Sequence, residues 1–193
     1  MSYFGYYLIA MNVIGFILFA VNTWLYTYTP DGQIDKFLTI NCLLGGSVGI
    51  LLSMLILDRK VQKGNMMSRV FIACVFVIQV IIFLIVRGHI ADNITLAFWN
   101  FFDEHKILIV YLATINFITF AAFALDKIAA IEHRSRISIV TLLGLAFIGG
   151  SLGALLGMYL LRHKTKKDYF TVGVPLIIIM QVVVIFYAMN AGW

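Results

Sequence analysis

Four amide side chains stand inside long apolar stretches, where a polar group needs a partner. Asn12 and Asn116 lie 104 positions apart near the middle of their stretches, and Gln79 and Gln181 lie 102 positions apart. Polar side chains at bilayer depth are costly and usually face a bundle interior or a water-filled cavity. The amides therefore predict either interhelical hydrogen bonds that hold a bundle together or a shared solute site.

One acid stands at the trailing end of an apolar stretch in the second half of the chain. This acid is Asp126, and the 104-residue offset aligns it with Asn22. Lys127 follows it directly, and Arg136 stands where the chain re-enters the membrane. We expect a structural ion pair of Asp126 with Lys127 or Arg136. The alternative is a carboxylate that couples transport to a proton or a cation.

A basic run follows the fifth apolar stretch: Arg162, His163, Lys164, Lys166 and Lys167, with Thr165 among them. Such a run is typical of a cuff that binds anionic lipid headgroups. The alternative is a docking site for a soluble anion. No basic stripe is interleaved with exposed aromatics on a soluble element, so a nucleic-acid partner is not expected.

Catalytic and metal-binding patterns are weak. Glu132 and His133 are predicted on the membrane face opposite to His163, so the two histidines are not expected to share an ion. Cys42 and Cys74 lie inside apolar stretches without metal-ligand spacing and are predicted to be buried hydrophobes. No HExxH, GxSxG or Ser/His/Asp pattern lies on one face, which favours a non-enzymatic role. A lipid-acting enzyme would need one pocket that gathers Asp126, Lys127, Glu132 and His133.

The composition requires a membrane as the solvent for these residues. The chain has 193 residues, of which 62% are hydrophobic and 12% charged, too apolar for a soluble domain of this length. Alternating strand patterns are absent, and six stretches are long enough to cross a hydrocarbon core of about 30 Å as helices. The sequence predicts an all-α integral membrane protein with six transmembrane helices near 4–26, 37–57, 68–87, 106–127, 138–161 and 170–190.

An internal repeat organises these helices. The stretch Gly45-Gly46-Ser47-Val48-Gly49 returns 104 positions later as Gly149-Gly150-Ser151-Leu152-Gly153. Small residues four positions apart predict helix faces that pack closely in lipid. The alternative is a loosened helix that exposes backbone carbonyls to an ion. The packing positions are Gly45, Gly49 and Ser53 in the first copy and Gly149, Gly153 and Gly157 in the second.

Each repeat contains three predicted spans, and an odd number implies that the second copy enters the membrane from the opposite side. We therefore expect two three-helix repeats of inverted topology, over residues 1–87 and 106–193. The residues between them, 88–105, are predicted to form an interfacial amphipathic linker. Lys and Arg divide seven to seven between the two predicted faces, so the positive-inside rule gives no orientation.

The second half resembles an uncharacterised bacterial membrane family, domain of unknown function 1294, over roughly residues 108–185. Where that family continues Arg-Ile with Pro-Glu, this chain has Ser138-Ile139. The resemblance implies a bacterial setting and three spans per domain but no reaction, and it makes the first half a degenerate second copy. It is carried by Asn116, Phe120, Phe123, Asp126-Lys127, Arg136-Ile137, Gly149-Gly150, Gly153-Ala154, Arg162-His163-Lys164-Thr165, Lys167 and Phe170.

These features predict a transporter or channel-like protein of a bacterial-type plasma membrane, with a midplane site between inverted repeats. Asn12, Asn116, Gln79 and Gln181 would line the site, and Asp126 is the candidate coupling group. The alternative function is a non-catalytic membrane scaffold or an anionic-lipid-binding protein. Membrane lipids are the expected partners, self-association is compatible with the pattern, and no cofactor or metal is expected.

Overall fold

A computed structural model of the chain describes residues 3–28, 34–58, 65–91 and 94–191. All regular structure within these ranges is helical. The chain separates into two compact units, Met1–Val80 and Ile81–Trp193. As the sequence predicted, six helical segments are long and apolar enough to cross a membrane: Tyr3–Tyr26, Asp35–Leu57, Met66–Val86, Lys106–Ile131, Ile139–Leu160 and Asp168–Asn190.

The first unit is built on a helix that breaks at a glycine. It contains α1 (Tyr3–Tyr28), α2 (Asp35–Asn41), α3 (Ser47–Leu57) and most of α4 (Met66–Val86). A wide π-helical turn, Cys42–Gly46, joins α2 to α3, and Gly45 within it has a φ of 112°. A residue with a Cβ rarely adopts that conformation, so the turn needs glycine. The apolar core of this unit is Leu38, Cys42, Ile50, Met54, Ile72 and Val75.

The second unit repeats this plan around a second glycine break. The turn Ala146–Gly150 separates two short helices, and Gly149 within it has a φ of 132°. The Ser138 hydroxyl starts the first of these helices by accepting a hydrogen bond from Thr141 N at 3.0 Å. The helices are α5 (Phe98–Glu104), α6 (Lys106–Ile131), α7 (Ile139–Leu145), α8 (Ser151–Leu160), α9 (Asp168–Thr171) and α10 (Gly173–Asn190).

The segment that contains α7 and α8 turns back on itself. The Asp126 carboxylate accepts a hydrogen bond from Ile137 N at 2.8 Å and contacts His163 Nε2 at 2.7 Å. A straight helix would hold positions 137 and 163 about 39 Å apart at 1.5 Å per residue. Both ends of the segment therefore lie at the same end of α6, and α7 and α8 form a helical hairpin.

The segment that contains α2 and α3 forms the same kind of hairpin. Asp35 precedes it along the chain and Asp58 follows it, yet both line one cavity of about 520 Å³ together with Asn22 of α1. A straight helix would place these two acids about 35 Å apart. The end at which a hairpin starts and finishes is called the mouth. The glycine turn of the hairpin is called the tip. The mouths are marked by Asn22, Asp35 and Asp58 and by Asp126, Ile137 and His163, and the tips by Gly45 and Gly149.

The hairpins change the topology that straight spans had predicted. Each unit contains two end-to-end helical segments and one hairpin, so the odd number of crossings that implied inverted repeats is lost. The loops that carry His133 and His163 lie at the same end of the second unit, and the expectation that they lie on opposite faces is wrong. Hydropathy measures the length of an apolar stretch but does not report a reversal inside it.

The linker before α6 is fastened to the end of α10. Asn190 Oδ1 accepts from Thr95 N at 2.7 Å, and Asn190 Nδ2 donates to Thr95 O at 3.1 Å. Ala91 N donates to Asn190 O at 2.7 Å. The helix α5 in this linker has no buried residue, and Trp99 is 85% exposed.

Candidate functional site

The tip of each hairpin is held by a glutamine from the last long helix of the unit. Gln181 Nε2 donates to the carbonyl oxygens of Ala146 and Phe147 at 2.7 and 3.1 Å, and Gln181 Oε1 accepts from the Ser151 hydroxyl. A π-helical turn frees carbonyls from the helical ladder, and a buried carbonyl needs a donor. Gln79 supplies the same bonds in the first unit, to Cys42, Leu43 and Ser47.

The two asparagines join the returning helix of each hairpin to the first helix of its unit. Asn116 Oδ1 accepts from Gly153 N at 2.7 Å, and Asn12 Oδ1 accepts from Gly49 N at 2.8 Å. The backbones are very close: a Cβ on Gly153 would lie 2.0 Å from the backbone carbonyl oxygen of Asn116, and a Cβ on Gly49 would lie 1.8 Å from that of Asn12. Asn116 Nδ2 also donates to Gly149 O at 2.9 Å.

A tyrosine completes each tip. Tyr111 Oη donates to Ile148 O at 2.5 Å, and Tyr7 Oη donates to Leu44 O at 2.7 Å. Four consecutive carbonyls in the second unit, from position 146 to 149, therefore accept side-chain hydrogen bonds. All four amides that the sequence selected bond within their own unit, where they stabilise a broken helix.

The glycine positions predicted to pack have two different roles. Gly45 and Gly149 form the tips themselves, because only their positive φ reverses the chain. Gly49 and Gly153 allow the close approach of the returning helix to α1 or α6. Gly157 lies against the Phe123 side chain, where a Cβ would be 2.8 Å from the Phe123 Cβ. Ser53, the remaining position, is fully buried on α3.

A fully buried carboxylate closes the mouth of the second unit. Asp126 Oδ1 accepts from the backbone N–H of Ile137, and Asp126 Oδ2 lies 2.7 Å from both His163 Nε2 and Lys164 Nζ. The Lys164 ammonium also lies 5.0 Å from the centre of the Phe170 ring. A buried charge is tolerated where it is paired and hydrogen-bonded, so these contacts keep the carboxylate in place.

The ion-pair partners of Asp126 differ from those the sequence suggested. Lys127 and Arg136 are its neighbours along the chain, but the hairpin returns His163 and Lys164 to the carboxylate instead. Arg136 is exposed, and the loop before α7 reaches Asp126 through the N–H of Ile137. The expected pair with Lys127 or Arg136 is therefore wrong.

The basic run is divided by this contact. His163 and Lys164 are mostly buried against Asp126, whereas Arg162, Lys166 and Lys167 remain exposed. Arg162 and Lys164 have φ values of 45° and 60°, a conformation that is unfavourable for residues other than glycine. The loop accepts this strain while it places Lys164 on the carboxylate. Two further exposed arginines, Arg134 and Arg136, lie at the same mouth.

Cys42 and Cys74 are buried free thiols in the first unit. Among the residues that the structure describes, no group of three or more His, Cys, Asp or Glu side chains could hold a metal ion.

The mouth of the first unit contains cavities, whereas side chains fill the mouth of the second unit. Asn22 is 7% exposed; its Oδ1 accepts from Ile34 N at 3.1 Å and its Nδ2 donates to Asp35 at 3.0 Å. The Tyr26 hydroxyl donates to the other carboxylate oxygen of Asp35 at 3.0 Å. On the return side, Asp58 forms an ion pair with Arg69 at 3.1 Å.

Two cavities meet at this mouth. The outer cavity, of about 520 Å³, reaches Asp58 and Arg69. The inner cavity, of about 230 Å³, reaches Cys42, whose carbonyl belongs to the tip. Both are lined by Phe19, Asn22, Asp35 and Ser68.

Sequence reasoning missed the polar residues of this mouth. Asp35, Asp58 and Arg69 are not among the residues that the sequence singles out, because a straight span would separate the two acids. One signal was available: acids flank the first glycine repeat on both sides, and a hairpin would bring them together. Tyr7 and Tyr111 match at the 104-residue offset of the repeat, and each lies 37 residues before the tip carbonyl that it binds.

The fold and its sites define a helical protein whose helices are long and apolar enough to cross a membrane, and whose glycine-broken hairpins are held by side-chain amides. The chain matches the model of a family described as protein of unknown function (DUF1294) over residues 116–170. It is 40% identical over 79 residues to the uncharacterized protein YsdA of Bacillus subtilis (strain 168). That match spans 41% of this chain and 89% of the relative, and the chain belongs to this family.

The matched region begins at Asn116 and ends at Phe170, so it contains the second hairpin and the residues that pair with Asp126. No solved structure matches the chain.

Proposed function

We propose that the protein is a small transporter or channel-like protein of a bacterial plasma membrane, with its solute path in the first unit. One observation carries this proposal: two adjoining cavities, each lined by apolar and polar side chains, run from the mouth of the first hairpin towards its tip. Backbone that leaves the helical ladder at membrane depth is tolerated where it is buried in protein or lines a cavity. Discontinuous helices of this kind form the substrate and ion sites of many transporters.

The residues along this path suit a small polar solute. Asn22, Ser68 and Thr39 offer uncharged polar groups, and Asp35 offers a carboxylate. The path extends inward to Cys42, whose carbonyl Gln79 already binds at 2.6 Å. Movement of the Gln79 side chain would release that carbonyl to a solute.

The test is flux into liposomes that contain the purified protein. Proton entry is measured with an enclosed pH-sensitive dye, K⁺ entry with a K⁺-sensitive dye, and glycerol and urea entry by stopped-flow light scattering. Asn22→Leu removes the polar group shared by both cavities and should abolish flux. Asp126→Asn, at the equivalent position of the second unit, is the matched control and should leave flux intact in protein that still elutes as a folded species.

Flux that survives Asn22→Leu would overturn the path. Absence of flux for all four probes would overturn the transporter assignment. Flux that is lost only in Asp126→Asn would move the path to the second unit and restore Asp126 as a coupling group.

A second function is favoured by the exposed basic residues at the second mouth. Arg134, Arg136, Arg162, Lys166 and Lys167 gather at one end because the hairpin doubles back, and anionic phospholipid headgroups suit such a surface. Native mass spectrometry of the protein with phosphatidylglycerol should show retained lipid that Lys166→Ala/Lys167→Ala reduces. Arg87→Ala at the other end of the unit is the control. Equal retention by all variants would contradict this function.

A further inference from the structure

The hairpins change which basic residues share a membrane face. With straight spans, Lys and Arg divide seven to seven, and the sequence gives no orientation. With hairpins, every loop that joins a hairpin to its neighbouring helices belongs to the mouth. The charge balance can therefore be counted again for each unit by itself.

The basic residues of the first unit that the structure describes lie at its mouth. Lys36 directly follows Asp35, and Arg69 pairs with Asp58. These two are the basic residues that the structure describes in this unit, and both lie at the mouth.

The second unit shows the same bias. Two of its basic residues lie at the end opposite to the mouth, Arg87 before the linker and Lys106 at the start of α6. The remaining seven lie at the mouth, one near the end of α6 and the others after α6 or α8: Lys127, Arg134, Arg136, Arg162, Lys164, Lys166 and Lys167. A seven-to-two division replaces the tie.

We infer that each hairpin enters the membrane from the cytoplasmic side, with both its mouth and its basic residues facing the cytoplasm. Short loops rich in Lys and Arg are retained on that side during insertion, and each unit obeys this rule independently. The first-unit cavities then open to the cytoplasm, so a solute would reach Asn22 and Asp35 from inside the cell. The orientation follows from the fold and the charges, and holds whether or not the protein transports a solute.

The test is the labelling of introduced cysteines, one in each variant, with a membrane-impermeant maleimide. Lys36→Cys, Arg134→Cys and Lys166→Cys report on the mouths, and the exposed residues in Tyr3→Cys and Trp99→Cys report on the opposite ends. Each variant is expressed in cells and labelled in right-side-out spheroplasts and in inside-out vesicles. The same samples dissolved in SDS give the total reactive thiol. The native Cys42 and Cys74 are buried, and the unmodified protein gives their background.

The mouth variants should reach more than about tenfold higher labelling in inside-out vesicles, and the other two should show the reverse preference. Labelling of Arg134→Cys and Lys166→Cys from opposite sides would show that α7 and α8 cross the membrane, and would overturn the hairpin topology. Mouth variants that label from outside would overturn the orientation. Neither result depends on flux, so failure here is distinct from failure of the proposed transport.

Discussion

Asn22 of α1 and Asp126 of α6 occupy equivalent positions in the two units. Both side chains bind the backbone at the start of a hairpin, but their other partners differ. Each accepts a hydrogen bond from the backbone N–H before its hairpin, from Ile34 or from Ile137. Asn22 then donates to Asp35 on the entering helix. Asp126 instead contacts His163 and Lys164, which follow the returning helix α8.

This difference decides whether the mouth is open. The amide of Asn22 leaves room for two adjoining cavities, whereas His163, Lys164 and the buried Phe170 ring occupy the region around Asp126. The tips, in contrast, are held by the same Gln and Tyr bonds in both units, and an asparagine Oδ1 accepts from the equivalent glycine N–H in each. The comparison teaches that the repeat retains the bonds that support the broken backbone, and that the copies differ in charge at the mouth.

Removal of the Asp126 carboxylate should have the largest effect. In Asp126→Ala, Lys164 loses its buried partner, and breaking a buried ion pair costs about 3–5 kcal/mol. Asn22→Ala removes hydrogen bonds without stranding a charge and should cost about 1–2 kcal/mol. The measurement is the free energy of unfolding in mixed detergent and SDS micelles. Equal costs would contradict the contrast between the two mouths.

Adding a methyl group where the returning helix of each hairpin contacts the first helix of its unit should destabilise both units alike. Gly153→Ala and Gly49→Ala each place a methyl group against a backbone carbonyl, and such overpacking costs about 1–3 kcal/mol. Gly144→Ala, on α7 with no atom within 4 Å of the new Cβ, is the control and should stabilise by about 0.5–1 kcal/mol. Thermal unfolding of the purified variants ranks the three, and destabilisation in one unit alone would break the shared plan.

Loss of the tip glutamines should have a moderate and symmetric effect. Gln181→Leu and Gln79→Leu each leave two tip carbonyls without their side-chain donor, and hydrogen bonds inside membrane proteins contribute about 0.6 to 1.7 kcal/mol each. The measurement is hydrogen exchange by mass spectrometry, which should show faster exchange around residues 42–49 or 146–153. Exchange that is unchanged in either variant would mean that its glutamine does not hold the tip.

Removal of the tyrosine hydroxyls should have the smallest effect. Tyr111→Phe and Tyr7→Phe each lose one bond to a tip carbonyl, worth about 0.6 kcal/mol, and keep the ring in place. Tyr111→Phe should be the milder of the two, because Asn116 also binds the adjacent Gly149 carbonyl in the second unit. The same exchange measurement tests this order, and a larger effect of Tyr111→Phe would reverse it.

The helical segments could be predicted from the sequence because long apolar stretches report their own length. The boundaries of all six agree with the structure to within a few residues. The reversal at Gly45 and Gly149 could not be predicted in this way, since a glycine pair in an apolar helix is compatible with close packing as well as with a turn. Because of this ambiguity, the sequence predicted three membrane crossings in each repeat, and this odd number implied an inverted second repeat.

The candidate site was predictable only in part. The position of Gln79, Gln181, Asn12 and Asn116 inside apolar stretches indicated that they need hydrogen-bond partners. It did not identify those partners, which are backbone groups and, for the two glutamines, also a serine hydroxyl. Asp126 was found by its position, and its partners were missed because they lie 37 and 38 residues further along the chain. The polar mouth of the first unit depends on the same reversal and became visible only with the fold.

The hydrogen bonds between Asn190 and Thr95 can form only after both residues have been synthesised. Thr95 leaves the ribosome 95 residues before its partner, which at about 5–20 residues per second corresponds to roughly 5–20 seconds. During that interval α6 and its hairpin are already made, while the segment ahead of them has no anchor. The second unit can close its far end only after α10 has been made, so this end stays unfastened while the rest of the unit is synthesised.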